Sequence, residues 1–301
     1  MEKKKSKKHH YLPSYYLHGF TNDEGGFWVY NKSTGKIFPS GPDDTFFENN
    51  LNTVTFPDGN TSDFLEDLYT DVENRSWLSL DRIRNSTHNT QINPLDMMSL
   101  YLFLLNLHWR LPGNFAFIES LSKEFFQGKN DFDYFKIVSK TGDIVPVEII
   151  EMIKTSSAFR KSTKMVVSLA PFFKDKNWVH NLENWRFIYS GDDKVWYMVG
   201  DNPIITRGDN DHDPINCLKE FIFPVSGKIL LVNCDTHEGN MLPGNLIIKY
   251  NLAIIQRAQR FVACQRKDFL EALIDLYKLH SQYKKEDDII TELFDSIKTG
   301  Q

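Results

Sequence analysis

The sequence predicts an α+β fold: an N-terminal β-hairpin, central helices including one fully apolar helix, antiparallel strands in the C-terminal half, and C-terminal helices. Three observations carry that prediction. Strand-like runs near the N-terminus and between residues 185 and 232 are bounded by clusters of Gly, Asn, Asp and Ser. The segments between and after them repeat apolar residues at three- and four-residue spacing. Strands and helices come in blocks without an internal repeat, which favours α+β over a doubly wound sheet.

Each element follows from local pattern. Phe27-Trp28-Val29-Tyr30 and Lys36-Ile37-Phe38 flank Asn31-Lys32-Ser33-Thr34-Gly35, a hairpin with a Gly-containing loop. A polar loop rich in Asp, Asn, Pro and Gly runs to Gly59-Asn60. Asp63 to Arg84 is a predicted helix, with Asp63 and Glu66 spaced as a capping pair. Leu65, Leu68, Tyr69, Val72, Leu80 and Ile83 form its apolar stripe. Glu66 and Glu73 lie two turns apart at one edge of that stripe. Asn93-Pro94 opens the next helix. Leu95 to Trp109 is apolar nearly all round and therefore predicted buried, ending at Asn106, His108 and Arg110 before Leu111-Pro112-Gly113. Residues Pro146 to about Lys174 read as helical with a break at Thr155–Ser157. Trp185–Tyr189 and Val195–Val199 bracket Ser190-Gly191-Asp192-Asp193 as a second hairpin. Phe221–Pro224 and Ile229–Val232 add strands, and helices resume over Asn245–Gln259, Lys267–Leu279 and Asp287–Lys298.

Composition bounds the class. The chain has 301 residues, 41% of them hydrophobic and 25% charged, which is ordinary globular usage and enough for a sizeable core. Its 23 Phe, 12 Tyr and 6 Trp predict a core of large rings. The net charge of -5 gives no global attraction to nucleic acid. The one basic run, Lys3 to Lys8, reads as a solvated flexible tail over residues 1–8, with residues 9–301 as a single globular domain. Cys217, Cys234 and Cys264 lack zinc spacing and read as buried structural thiols in a reducing cytoplasm. No run is long and apolar enough to span a bilayer, so no membrane partner is expected.

The common catalytic signatures are missing: no GxxxxGK[ST], GxGxxG, GxSxG, HExxH or EF-hand loop occurs. Arg82 to His88 has the Arg-x5-His spacing of a class of helical ribonucleases, but a helix should end there at Asn85. What remains is a scattered polar set: His9, His10, Glu66, Glu73, Asn106, Arg110, Asp201, Asn202 and Asn251.

The order of these residues resembles the family known as domain of unknown function 4238. The elements that carry the resemblance are His9-His10-Tyr11-Leu12-Pro13-Ser14-Tyr15-Tyr16-Leu17, the turn Tyr30–Lys36, and Leu65-Glu66 with Glu73. Arg110-Leu111-Pro112, Trp185, Gly200-Asp201-Asn202-Pro203, Phe223-Pro224-Val225-Ser226 and Asn251 complete them. The resemblance spans about residues 9–265 and departs at Gly200, Asn106 and His18, where the family tends to Ser, Gln and Arg. It implies an architecture and no activity.

Two readings of the polar set stay open. In the first, the protein is a metal-assisted hydrolase or nuclease acting on a phosphodiester or nucleotide. His10, Glu73 and Asp201 would be catalytic. Arg110 and Asn202 would bind substrate. A divalent cation such as Mg or Mn would sit on His10, Glu66, Glu73 and Asp201. Alternation along a strand lets only one of His9 and His10 face that point. In the second reading the protein is a non-enzymatic binding module. Arg110 is then a buried cation tied to Glu66 or Glu73, Asp201-Asn202-Pro203 is an Asx turn, and His10 is a satisfied core histidine. A bacterial defence or toxin role is a further expectation with no residue of its own to support it.

Overall fold

The computed structural model describes residues 7–56, 59–87, 90–124, 156–174, 178–191, 194–234, 241–242, 244–283 and 287–299. The predicted hairpin forms as β2 (Phe27–Asn31) and β3 (Lys36–Ser40), paired from Asn31↔Lys36 to Phe27↔Ser40. Gly35 closes its turn at φ +69°, a conformation that glycine adopts without strain. A short ribbon, β1 (Lys8–His10) on β4 (Phe47–Asn49), has the four-residue helix α1 (Ser14–Leu17) between its strands, and β5 (Val54–Thr55) pairs with β6 (Thr61–Ser62) ahead of the long helices. Lys8, assigned to the basic tail by its sequence, thus opens a strand.

Helix α2 (Phe64–Arg84) and helix α3 (Pro94–Arg110) pack against each other as an antiparallel pair. Asn93 accepts from the Leu95 N–H and Pro94 fills the first turn, so α3 starts where the sequence placed it. The predicted capping pair on α2 does not form: Asp63 turns its carboxylate to the Thr53 hydroxyl at 2.6 Å, and Glu66 reaches Asn52 instead. At the other end Arg82 binds Asp96, which also accepts from Ser79 at 2.7 Å. Arg82 is therefore part of the α2–α3 joint, and its spacing partner His88 lies outside the described residues. Helix α4 (Phe115–Glu124), α5 (Ser157–Ser168) and α6 (Ala170–Lys174) complete the central block. The helix expected over 146–155 also falls outside the described residues.

The C-terminal half carries the second predicted set of strands: β7 (Trp185–Ser190), β8 (Val199–Gly200), β9 (Ile205–Thr206), β10 (Phe221–Ser226), β11 (Ile229–Asn233), β12 (Met241–Leu242) and β13 (Phe261–Cys264). They form two sheets, β12-β7-β11-β10-β9 and β3-β2-β13-β8. The second predicted hairpin is not formed. β7 pairs along its length with β11. Residues 196–198 are drawn away by Asn251 of α8 (Gly244–Arg257), which accepts from Met198 N at 2.8 Å and donates to the Trp196 carbonyl at 2.8 Å. One buried amide pair thus outcompetes a turn with good local chemistry. Helices α9 (Lys267–Tyr283) and α10 (Asp287–Thr299) follow as predicted. The architecture is α+β with antiparallel sheets. It has one apolar cluster between the ribbon, α2–α3 and β10, and a second around α8 to α10. The three cysteines are free and buried. Among the described residues no helix is long and apolar enough to cross a membrane.

Candidate functional site

The segment His9 to Leu17 cannot hold itself in place: β1 is three residues long and pairs on one side only. Two arginines fix it. Arg110, at the C-terminal end of α3, donates from Nε to the Tyr11 carbonyl at 2.9 Å and from Nη2 to the His10 carbonyl at 2.7 Å. Its Nη1 pairs with Glu73 at 2.6 Å, and its face lies 5.0 Å from the Tyr69 ring centre. Arg110 is only 4% exposed, whereas Glu73 keeps 24%, so the pair is sealed on one side and wet on the other. Glu73 holds the guanidinium charged despite burial. Arg84, at the end of α2, donates to the carbonyls of Tyr15, Tyr16 and Val225 at 2.9, 2.5 and 3.1 Å. A Cβ at Gly19 would meet that guanidinium at 2.7 Å, so glycine there keeps the space open.

The two histidines part as strand alternation requires. His9 is buried, and its Nδ1 accepts from the Asn52 N–H at 2.9 Å, 3.8 Å from Glu66. Asn52 binds the same Glu66 oxygen at 2.7 Å. His10 stacks at a tilt on Phe47, 5.5 Å between centroids, and bonds the main chain of Asp43. Burial lowers its pKa, with Asp43 opposing and Arg110 assisting. Among the described residues its buried Nε2 has no hydrogen-bond partner, and neither has the Tyr69 hydroxyl.

Asp201 does something different from both expectations. Its carboxylate accepts from the N–H groups of Gln259 at 2.7 Å, Arg260 at 2.6 Å and Phe261 at 2.8 Å. Rather than turning back on its own neighbours, it gathers the turn between α8 and β13. Burial raises its pKa while those three donors pull the other way. Lys32, from the β2–β3 turn, prepares the same turn by capping α8, with Nζ on the carbonyls of Ile255, Gln256 and Ala258 at 2.7, 3.2 and 2.5 Å. Gly200 packs closely beside it: a Cβ there would lie 3.2 Å from both the Ala258 Cβ and the Ile254 Cγ2, so those side chains would have to give slightly.

These supports meet at a cavity. A pocket of about 430 Å³ is lined by Phe38, Phe46, Phe47, Arg260 and Phe261 together with the carboxylates of Asp44 and Glu48 and the side chains of Thr45 and Asn49. One wall is β4 and the residue before it. The carbonyl of Phe46 accepts from Tyr11 N at 3.0 Å and Leu12 N at 3.4 Å, and Phe46 itself sits at φ +59°. A buried aromatic residue in the left-handed region is strained and persists only where its surroundings impose it. The other wall is Arg260-Phe261, held by Asp201. Phe46 and Phe261 meet edge to face at 6.1 Å. Arg260 lies 4.5 Å over Phe261, and Lys8 lies 4.7 Å over Phe47 while pairing with Asp44. Among the described residues no carboxylate pairs with the Arg260 guanidinium.

Of the sequence-derived candidates, His10, Glu66, Glu73 and Arg110 gather at the α2–α3–ribbon junction, and Asp201 is committed to 259–261. Asn202 follows it, half-buried, and Asn106 bonds Leu102 and Ser168 on the far side of α3. Among the described residues no group of three His, Cys, Asp or Glu is placed to hold a metal ion, so the four proposed ligands do not form one centre. Sequence reasoning missed Phe46, Phe47 and Arg260, which lie in segments read as loop or helix end. It also missed Lys164 of α5. That lysine is buried with Nζ 3.6 Å from the Phe115 ring centre. Burial, Lys161 and Arg110 lower its pKa to about 7, while the ring favours the charged form.

A chain whose polar residues hold two walls of an aromatic pocket in this way is a small α+β protein with a framed site. Over residues 8–268 it matches a family described as a protein of unknown function, DUF4238, and it belongs to that family. No curated protein and no solved structure matches it.

Proposed function

We propose that this protein is a binding module for a nucleotide unit, taken up in the pocket between β4 and the Arg260-Phe261 turn, with the polar residues of the family pattern serving as its frame. The observation that carries this reading is convergence. Arg110 fixes His10-Tyr11, Tyr11 and Leu12 fix Phe46, and Asp201 fixes Arg260-Phe261, so residues far apart in sequence position the two walls of one cavity. Its volume suits a small ligand. Phe rings offer stacking faces to a base, and Arg260, which pairs with no carboxylate among the described residues, offers a phosphate contact. Buried free cysteines fit a reducing cytoplasm. Titration calorimetry with a mononucleotide tests the idea. Saturable binding that Phe47→Ala and Arg260→Ala weaken supports it; binding indifferent to both removes it.

A second reading, metal-assisted hydrolysis of a phosphodiester, keeps one specific support. His10 carries a neutral, oriented imidazole whose Nε2 lacks a partner next to Glu73 and Arg110. It requires calorimetric binding of Mg or Mn and an activity that Glu73→Ala abolishes at native stability. Loss of stability alone in that variant assigns Glu73 to the frame.

A further inference from the structure

The exposed face of α2 is self-complementary, and we propose that a second copy of this chain docks there about a two-fold axis, α2 against α2 in antiparallel fashion. Next to that face lies a second and larger cavity, about 670 Å³, between α2, α3 and α5, lined by Leu68, Val72, Leu95, Met98, Leu102 and Leu169 among others. Among the described residues its lining carries two charged side chains, Asp71 and Arg75. Leu68 is 42% exposed and Leu78 46%, and Leu95 and Met98 are also exposed among the described residues. Leu68, Asp71, Arg75 and Leu78 follow one another at three- or four-residue spacing and share one face of the helix. That face reads apolar, acidic, basic, apolar. Turned end for end, it reads apolar, basic, acidic, apolar. An antiparallel copy centred on Glu73 therefore sets Asp71 against the partner's Arg75, Arg75 against the partner's Asp71, and Leu68 against the partner's Leu78. A two-fold interface needs this reciprocity, in which each contact occurs twice. A heterologous helix would need the complementary order of charges, whereas a second copy supplies it automatically. The site is independent of the aromatic pocket, which lies on β4 and the turn before β13.

The test is sedimentation equilibrium on the full chain, with helix content checked by circular dichroism. The wild type is expected to be a dimer. Arg75→Glu, which brings like charges together twice, should raise the dissociation constant by about tenfold or more. The combined Asp71→Arg and Arg75→Glu exchange should recover the wild-type constant, because the swapped charges face each other again. Leu68→Asp should give monomer, and Leu279→Asp, on exposed surface of α9, should leave the dimer intact. A wild type that stays monomeric at high micromolar concentration overturns the proposal. So does a dimer that ignores Leu68→Asp, or one whose charge exchange fails to restore association.

Discussion

Replacing Arg110 by methionine keeps the buried stem of the side chain and removes the guanidinium. Three donors go at once, from the carbonyls of His10 and Tyr11 at 2.7 and 2.9 Å and from Glu73 at 2.6 Å. Breaking a fully buried pair costs about 3–5 kcal/mol. Here Glu73 is 24% exposed and regains water, so the lower end applies, about 3 kcal/mol. At about 2.1 cal/mol/K of unfolding entropy per residue, a chain of this length loses about 5 °C of melting temperature. The loss has a local signature as well. The Tyr11 and Leu12 amides bond the Phe46 carbonyl only because Arg110 holds the segment, so their hydrogen exchange should accelerate more than that of the β10–β11 amides. Differential scanning calorimetry and residue-resolved exchange read both effects. A variant that melts within about 1 °C of the wild type, with Tyr11 and Leu12 protected as before, refutes the view that Arg110 is a structural clamp.

Three further outcomes follow from buried charges. Asp201→Asn keeps one acceptor oxygen and turns an amide NH2 toward one or two main-chain donors, so stability should fall by about 2–4 kcal/mol in urea unfolding, with mononucleotide affinity falling alongside; an unchanged midpoint argues against its role in shaping the turn. Lys164 titrates at about 7 when folded against 10.5 in the unfolded chain, so the unfolded state binds the extra proton between those values and stability rises with pH across them. Lys164→Met should therefore stabilise the protein at pH 7 by roughly 2–3 kcal/mol and flatten that rise, and a destabilised variant contradicts the reasoning. His108, with Nε2 on the Asp211 carbonyl at 2.7 Å, is held neutral by burial, its pKa lowered from 6.5 to about 4. Protons bind the unfolded chain first, so stability present above pH 6.5 should decline toward pH 4 by up to about 3 kcal/mol, and the acid slope should shrink in His108→Gln.

The parts legible in the sequence were those whose signal is local. The first hairpin, the capped start of α3 at Asn93-Pro94 and the all-round apolarity of that helix each follow from neighbouring residues. The second hairpin has good turn chemistry but a better partner: β11 offers β7 a five-residue register, four of them apolar, and Asn251 takes the main chain of residues 196–198. For the site, the sequence identifies Arg110, Glu73, His10 and Asp201 as residues whose burial needs a reason, and Arg110 as a cation tied to Glu66 or Glu73; the structure pairs it with Glu73. The sequence could not show that Asp201 answers to Gln259, Arg260 and Phe261, 58 to 60 residues away, since a carboxylate on main-chain donors leaves no side-chain pattern to read. The pocket was invisible for a related reason. Phe46 and Phe47 look like loop phenylalanines until the fold brings both of them to one pocket with Phe261.

The proposed nucleotide site, framed by the motif residues, is tested most directly by calorimetric titration of adenosine 5′-monophosphate into the wild-type chain, Phe47→Ala, Arg260→Ala and Asp201→Asn. Saturable binding to the wild type should weaken at least about tenfold in each variant, because stacking, phosphate contact and wall position are lost in turn. Binding of equal strength in all four proteins, or none to the folded wild type, contradicts it.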